Sequence, residues 1–245
     1  MLSPFIGILI LAGVAYASLH SRPSSQLGFF DPHAAFIVLG GVLGALLIAI
    51  DRTSLGRMLA SLKEILPSTN TFTREMKAIH EGLNTIRSAW REGQKSRILE
   101  IADKSANKEL MVAADALLKQ MSPASLSEKF TELKTEYTRK YSPVIEGWEM
   151  VGKLGPSFGM VGTVTGMVQL FQNMNDNISN MGGSMALALL ATLYGITIGA
   201  AIGGPMATRI NTQLNDRLDL LEFLEKTTQA LIEESKVLGS HKSGE

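Results

Sequence analysis

Residues Leu154–Thr208 read LGPSFGMVGTVTGMVQLFQNMNDNISNMGGSMALALLATLYGITIGAAIGGPMAT, and Asp176 is the single charge among them. More than fifty otherwise uncharged residues are too many for the buried helices of a soluble domain. Asp176 divides them into two runs, Leu154–Asn175 and Asn177–Thr208. A helix needs about 20 residues to cross a bilayer, and both runs meet that length. Two more charge-free runs lie near the other end of the chain, Met1–Leu19 and Ala34–Ile50. These are near the minimum for a span. The four runs predict an all-α polytopic membrane protein. Its transmembrane (TM) helices are expected at about 3–20 (TM1), 33–50 (TM2), 148–174 (TM3) and 183–207 (TM4). The apolar run Pro4–Leu19 lacks the basic flank and the clear small-x-small cleavage site of a signal peptide, so it is read as a retained helix.

Orientation follows from Lys and Arg, which stay on the cytoplasmic side of a bilayer. The loop His20–His33 holds only Arg22, the segment Asp51–Lys153 holds seventeen basic residues and the tail from Arg209 holds five. The long segment, the tail and both termini are therefore expected in the cytoplasm, and the turn near Asn175–Gly182 outside. The chain divides into a first transmembrane hairpin (1–50), a helical cytoplasmic insert (51–147), a second hairpin (148–207) and a cytoplasmic C-terminal helix with its tail (208–245). Within the insert, Pro67-Ser68, Gly93 and Met121-Ser122-Pro123 mark breaks, with Ser122 or Ser125 as the next helix cap. In the tail Ile210, Leu214, Leu218, Leu221, Leu224, Thr228 and Leu231 recur three or four apart, the spacing of one helix face. Residues Gly239–Glu245 are expected to fray.

The composition excludes several classes of function. The chain has 245 residues, 45% of them hydrophobic, and a formal net charge of zero, so no nucleic-acid partner is implied. It has no cysteine, hence no disulfide and no thiolate nucleophile or metal ligand. Its histidines, at 20, 33, 80 and 241, are scattered, and the Gly-Gly pairs at 40, 182 and 203 open no strand–loop–helix phosphate cradle. No catalytic group, metal site or bound cofactor is expected.

Small residues form two stripes. Gly155, Gly159, Gly162, Thr163 and Gly166 share one face of TM3. Ser184, Ala188, Ala191, Thr192, Gly195, Gly199 and Gly203 do the same in TM4. In lipid such faces let helices approach closely, so Gly159, Gly162, Gly166, Gly195 and Gly199 are expected to be packing residues. None of the charge-free runs contains Asp, Glu, Lys, Arg or His. Ion passage across a bilayer usually needs an ionisable group, so either no ion passes or a partner helix supplies the carboxylate. Thr163 and Thr192 are the main hydroxyls on the stripes, either bonding to their own helices or lining a path. Thr165 and Thr197 point elsewhere. Pro156 and Pro205, near the cytoplasmic ends of TM3 and TM4, mark boundaries, kinks or a flexible joint.

The stretch Gly155-Pro156-Ser157-Phe158-Gly159-Met160-Val161-Gly162-Thr163-Val164-Thr165-Gly166-Met167-Val168, followed by Met185-Ala186-Leu187-Ala188-Leu189-Leu190-Ala191-Thr192-Leu193-Tyr194-Gly195, resembles the flagellar motor stator A-subunit family (MotA/PomA). That family lies within the MotA/TolQ/ExbB ion-channel superfamily. Phe30-Asp31 followed by Ile37-Val38-Leu39-Gly40-Gly41 is similar to the family's approach to its second helix. The resemblance covers nearly the whole membrane part, and the cytoplasmic insert only loosely. It implies an inner-membrane, ion-driven rotary pump in which a pentamer of A-subunits surrounds a dimer of B-subunits. Each B-subunit has one transmembrane helix with an essential Asp and a peptidoglycan-binding domain. Pro156 and Pro205 fall on the family's functional prolines, and Thr163 and Thr192 on its pore-facing threonines. Arg91 and Glu100 align with charges that face the rotor's switch-complex protein, although Glu92 stands where relatives often have a base. Proton-driven relatives often carry Ala at the position of Thr163. Sodium-driven ones usually carry Thr where this chain has Ala191. Sodium is expected over proton, because a hard cation needs several oxygen ligands.

Other functions remain in view. A TolQ- or ExbB-like proton-driven pump for an outer-membrane process would have three spans. A four-helix secondary transporter would need its own membrane charge. A non-conducting membrane scaffold would need only the small stripes.

Overall fold

A computed structural model describes residues 31–62, 71–104, 107–173 and 178–242. The first expected span, the loop at Arg22, the break at Pro67-Ser68 and the residues around Asp176 lie outside the described residues. The described chain is helical: α1 (Pro32–Ala49), α2 (Arg52–Ser61), α3 (Thr71–Arg91), α4 (Lys95–Lys104), α5 (Lys108–Lys119), α6 (Pro123–Asn173), α7 (Ile178–Ile196), a π-helical stretch (Thr197–Gly203) and α8 (Gly204–Lys242). It forms two compact units. One takes the chain up to Leu66 together with Pro143–Ile210, and the other takes Pro67–Ser142 with everything from Asn211.

The first unit holds the apolar helices. Asp31 starts α1: its carboxylate accepts from the N–H groups of His33 at 2.7 Å and Ala34 at 3.2 Å, and Pro32 needs no N–H at the first helical position. Ala34 and Val38 pack on Leu187 and Ala191 of α7, with Leu190, Tyr194 and Ile198 around them. The outward positions stay apolar: Phe36 is 76% exposed, Ile48 90%, Val164 63% and Leu189 63%. Isolated exposed leucines are ordinary, but helices that are apolar all round belong in lipid.

The second unit is a helical domain with a continuous core that includes Ile79, Ile86, Ile98, Leu117, Phe130 and Leu221. Its breaks have local causes. Gly93, at φ +71°, supplies the left-handed turn between α3 and α4. Gln120, at φ 46°, ends α5, and the Ser122 hydroxyl caps α6 by accepting from the Ser125 N–H at 3.2 Å. The tail stripe is buried as expected. Leu221, Leu224 and Thr228 are fully enclosed, and Leu231 is nearly so.

The helices run past the expected span bounds, which are set by hydropathy rather than by where backbone hydrogen bonding stops. TM3 was expected to start near 148, yet α6 is continuous from Pro123, because Glu149 and Lys153 interrupt the apolar run without interrupting the helix; they pair at 3.6 Å. TM4 was expected from about 183, yet α7 begins at Ile178 and carries Gly182 and Gly183 within it. The tail helix starts at Gly204 rather than 208. Residues from 51 were assigned to the cytoplasmic insert, but α2 packs in the first unit. Trp148 Nε1 donates to Ser61 Oγ at 3.0 Å, and Met58 Sδ lies where a side chain on Gly147 would stand.

Candidate functional site

The two small stripes meet, running antiparallel. A methyl on Gly155 would stand 2.6 Å from the Gly195 carbonyl oxygen, one on Gly166 2.8 Å from that of Ser184, and one on Gly203 2.5 Å from the Gly152 nitrogen. Such distances leave no room for a Cβ, so backbone lies directly on backbone. Gly159 faces Ala191 and Thr192, Gly162 faces Ala191, and Gly199 faces Gly152 and the Pro156 ring.

This approach brings Thr163 and Thr192 together. Their hydroxyls are in direct contact. Thr163 Oγ1 also lies 3.1 Å from the Gly159 carbonyl and 3.3 Å from that of Ala188, and Thr192 Oγ1 lies 3.2 Å from the Ala188 carbonyl. Two hydroxyl protons serve this group of four oxygens, and both side chains are partly buried. The local backbone bonds and the facing arrangement are therefore both present. By contrast, Thr165 and Thr197 bond only backwards, to Val161 at 2.9 Å and Leu193 at 2.7 Å. The two stripes thus present hydroxyl and carbonyl oxygens and carry no titratable group of their own.

Pro156 and Pro205 bracket an irregular turn. Pro156 lies inside α6, with its Cδ 2.7 Å from where a Gly199 side chain would begin. Gly199 belongs to the π-helical stretch, whose end is marked by Gly204 N–H bonding back five residues to the Gly199 carbonyl. Pro205 follows immediately. A proline has no N–H to donate, and its ring crowds the carbonyl four residues back, so a widened turn before it relieves that clash.

Arg91 and Glu100 are exposed on either side of the Gly93 turn. Arg91 pairs with Glu234 of α8 at 3.8 Å, and the neighbouring Trp90 donates from Nε1 to the Leu231 carbonyl at 3.2 Å. Glu92 accepts from Gln94 at 2.8 Å.

Three features escaped the sequence reading. The Asp31 N–H donates to the Tyr194 hydroxyl at 3.2 Å, tying the start of α1 to α7. The π-helical stretch left no signal beyond its glycines and Pro205. In the second unit, Arg217 and Glu109 are buried against each other at 3.4 Å, Arg217 reaches Glu75 at 2.6 Å, and Tyr137 donates to Glu109 at 2.5 Å. Burial works against the Arg217 charge, but the hydrogen bond and charge of Glu75 outweigh it and raise its affinity for the proton. Arg217 follows Leu214 by three residues, so its place on the buried stripe was a readable signal.

The sequence model of the MotA/TolQ/ExbB proton channel family matches residues 97–222. YtxD of Bacillus subtilis (strain 168) is 26% identical over 224 residues, which are 89% of this chain and 77% of that protein. Motility protein A of Aquifex aeolicus (strain VF5) is 27% identical over 194 residues, 76% of this chain and 72% of that one. The C. jejuni MotAB structure superposes with a TM-score of 0.78 at 18% identity, covering 95% of this chain and 89% of that one; this is a likeness of fold.

Proposed function

The chain belongs to the MotA/TolQ/ExbB proton channel family, and from that premise we propose that it is the A-type subunit of a flagellar motor stator. It is an inner-membrane protein, and its fold is that of chains in MotAB complexes. In our reading it couples inward cation flow to torque as a pentamer around a pair of B-subunits. Each B-subunit contributes one transmembrane helix bearing an Asp and anchors itself to peptidoglycan. The observation that carries the reading is the Thr163–Thr192 pair. Facing oxygens stand on stripes without an ionisable residue, and the missing charge is what an Asp-bearing partner helix would bring.

Sodium is the coupling ion in this reading. It must exchange its water shell for several oxygens, and the threonines together with a partner carboxylate provide them. Pro156 and Pro205, at the widened turn, pass the motion from membrane to cytoplasm. Arg91 and Glu100 meet the rotor's switch-complex protein. Torque should follow external sodium and collapse when potassium replaces it at constant pH. Thr163→Ala removes one ligand and should raise the sodium requirement about tenfold or more, with the complex still assembled. Full torque in sodium-free medium, abolished by a protonophore, would assign the motor to protons.

A further inference from the structure

Helix α2 begins where the apolar run of α1 stops. Ile50 is extended, Asp51 caps the new helix by accepting from the Thr53 N–H at 3.2 Å, and Arg52 opens it. Ser54, Met58 and Ser61 form its buried face, held on Gly147 and Trp148 of α6. At 100° per residue, Leu55, Leu59 and Arg52 lie within about 60° of one another on one exposed flank, and Arg57 projects from the other flank, about 160° from both leucines. Leu59 is 54% exposed, and Leu47 and Ile48, just before the bend, are exposed as well. Both arginines are exposed, and the Asp51 carboxylate, whose pKa is lowered first by its hydrogen bond with Thr53, is lowered further by the Arg57 charge.

We propose that α2 is a lipid-surface helix: Arg52 binds the phosphate of an anionic phospholipid while Leu55 and Leu59 enter the acyl boundary and Arg57 faces water. An apolar strip beside an arginine, directly continuous with a membrane span, suits the interfacial layer of a bilayer. Free phosphate would satisfy the arginine and leave the leucines in water.

The test uses the full chain in bilayers. Because the chain has no cysteine, Leu59→Cys provides a unique thiol for a nitroxide label, and Ser127→Cys on exposed α6 provides the aqueous reference. The Leu59 label should collide with dissolved oxygen and be shielded from a water-soluble nickel complex. Exposure to nickel equal to that of the Ser127 label overturns the proposal, and so does shielding from both agents, which would mean a protein partner. In bilayers of equal parts phosphatidylcholine and phosphatidylglycerol, the wild type should retain phosphatidylglycerol on extraction, counted by native mass spectrometry. Arg52→Gln should lower that preference about fivefold. Arg52→Lys should retain it, and Arg57→Gln, like Lys77→Gln with Lys129→Gln, should leave it nearly unchanged. Equal retention by the wild type and Arg52→Gln overturns the proposal.

Discussion

Arg217 and its neighbours set the energetics of the second unit at the scale of single side chains. Arg217→Met leaves Glu109 buried with Tyr137 as its remaining partner, and losing one member of a buried pair costs about 3–5 kcal/mol. Chemical unfolding should show that loss, and adding Glu109→Gln should recover part of it. Tyr137 makes the same cluster sensitive to alkali. Burial first, and its bond to Glu109 second, hold the phenol above the usual tyrosine range. The folded chain keeps this proton where the unfolded chain has released it. The resulting stabilisation is whole below about pH 10 and is lost as the pH rises further. The stability difference between wild type and Tyr137→Phe should therefore narrow above that pH. Thr228 presents the opposite case, a fully buried hydroxyl without a hydrogen-bond partner. Thr228→Val keeps the shape and removes the orphan group, so it should stabilise the chain by about 1 kcal/mol in thermal unfolding. None of these roles could be read from spacing alone. Periodicity identifies which residues share a face, but whether a charge on that face is solvated or paired depends on helices distant in sequence.

At the scale of elements, the contact between α6 and α7 was legible because its cause is local composition. Glycines three and four apart specify a face without side chains, and only close packing makes use of such a face. A methyl at Gly155 meets the backbone of Gly195, whereas one at Gly44 meets nothing within 4 Å. Gly155→Ala should therefore cost about 1–3 kcal/mol in detergent-monitored unfolding, and Gly44→Ala should be close to neutral. The pairing of Thr163 with Thr192 was legible for the same reason, since both sit on those faces. Helix ends were less so. A loss of hydrophobicity at Glu149, or a Gly pair at 182, looks like an end, but neither removes a backbone hydrogen bond. Where a backbone donor is truly missing, at Pro205, the helix widens before it. Helix α2 was assigned to the insert by charge, yet Trp148, nearly ninety positions later, holds it to the first unit.

For the whole molecule, the proposed topology places residues near 26 and 107 on opposite sides of the membrane. Gln26→Cys and Asn107→Cys, each the only thiol in its chain, should react with an impermeant maleimide from opposite faces of intact and inverted vesicles. Reaction from the same face would remove the proposed orientation. The division of labour with a partner has its own consequence. The purified chain alone in liposomes should pass no sodium current above background, and coexpression with an Asp-bearing one-span partner should be required for flux. Strong flux through the chain alone would mean that the oxygens near Thr163 suffice without a carboxylate.

The widened turn at Thr197–Gly203 also stores length in the chain. A stretch bonded five residues back holds, in effect, one residue more than a regular helix with the same axis. Deleting Ala200 would allow regular bonding to close while Met206, Ala207 and Ile210 keep nearly the same azimuth, whereas the same deletion in a regular turn, at Ala186, would rotate the later side chains of that helix by about 100°. The widened turn is thus a place where the helix can lose a residue without turning.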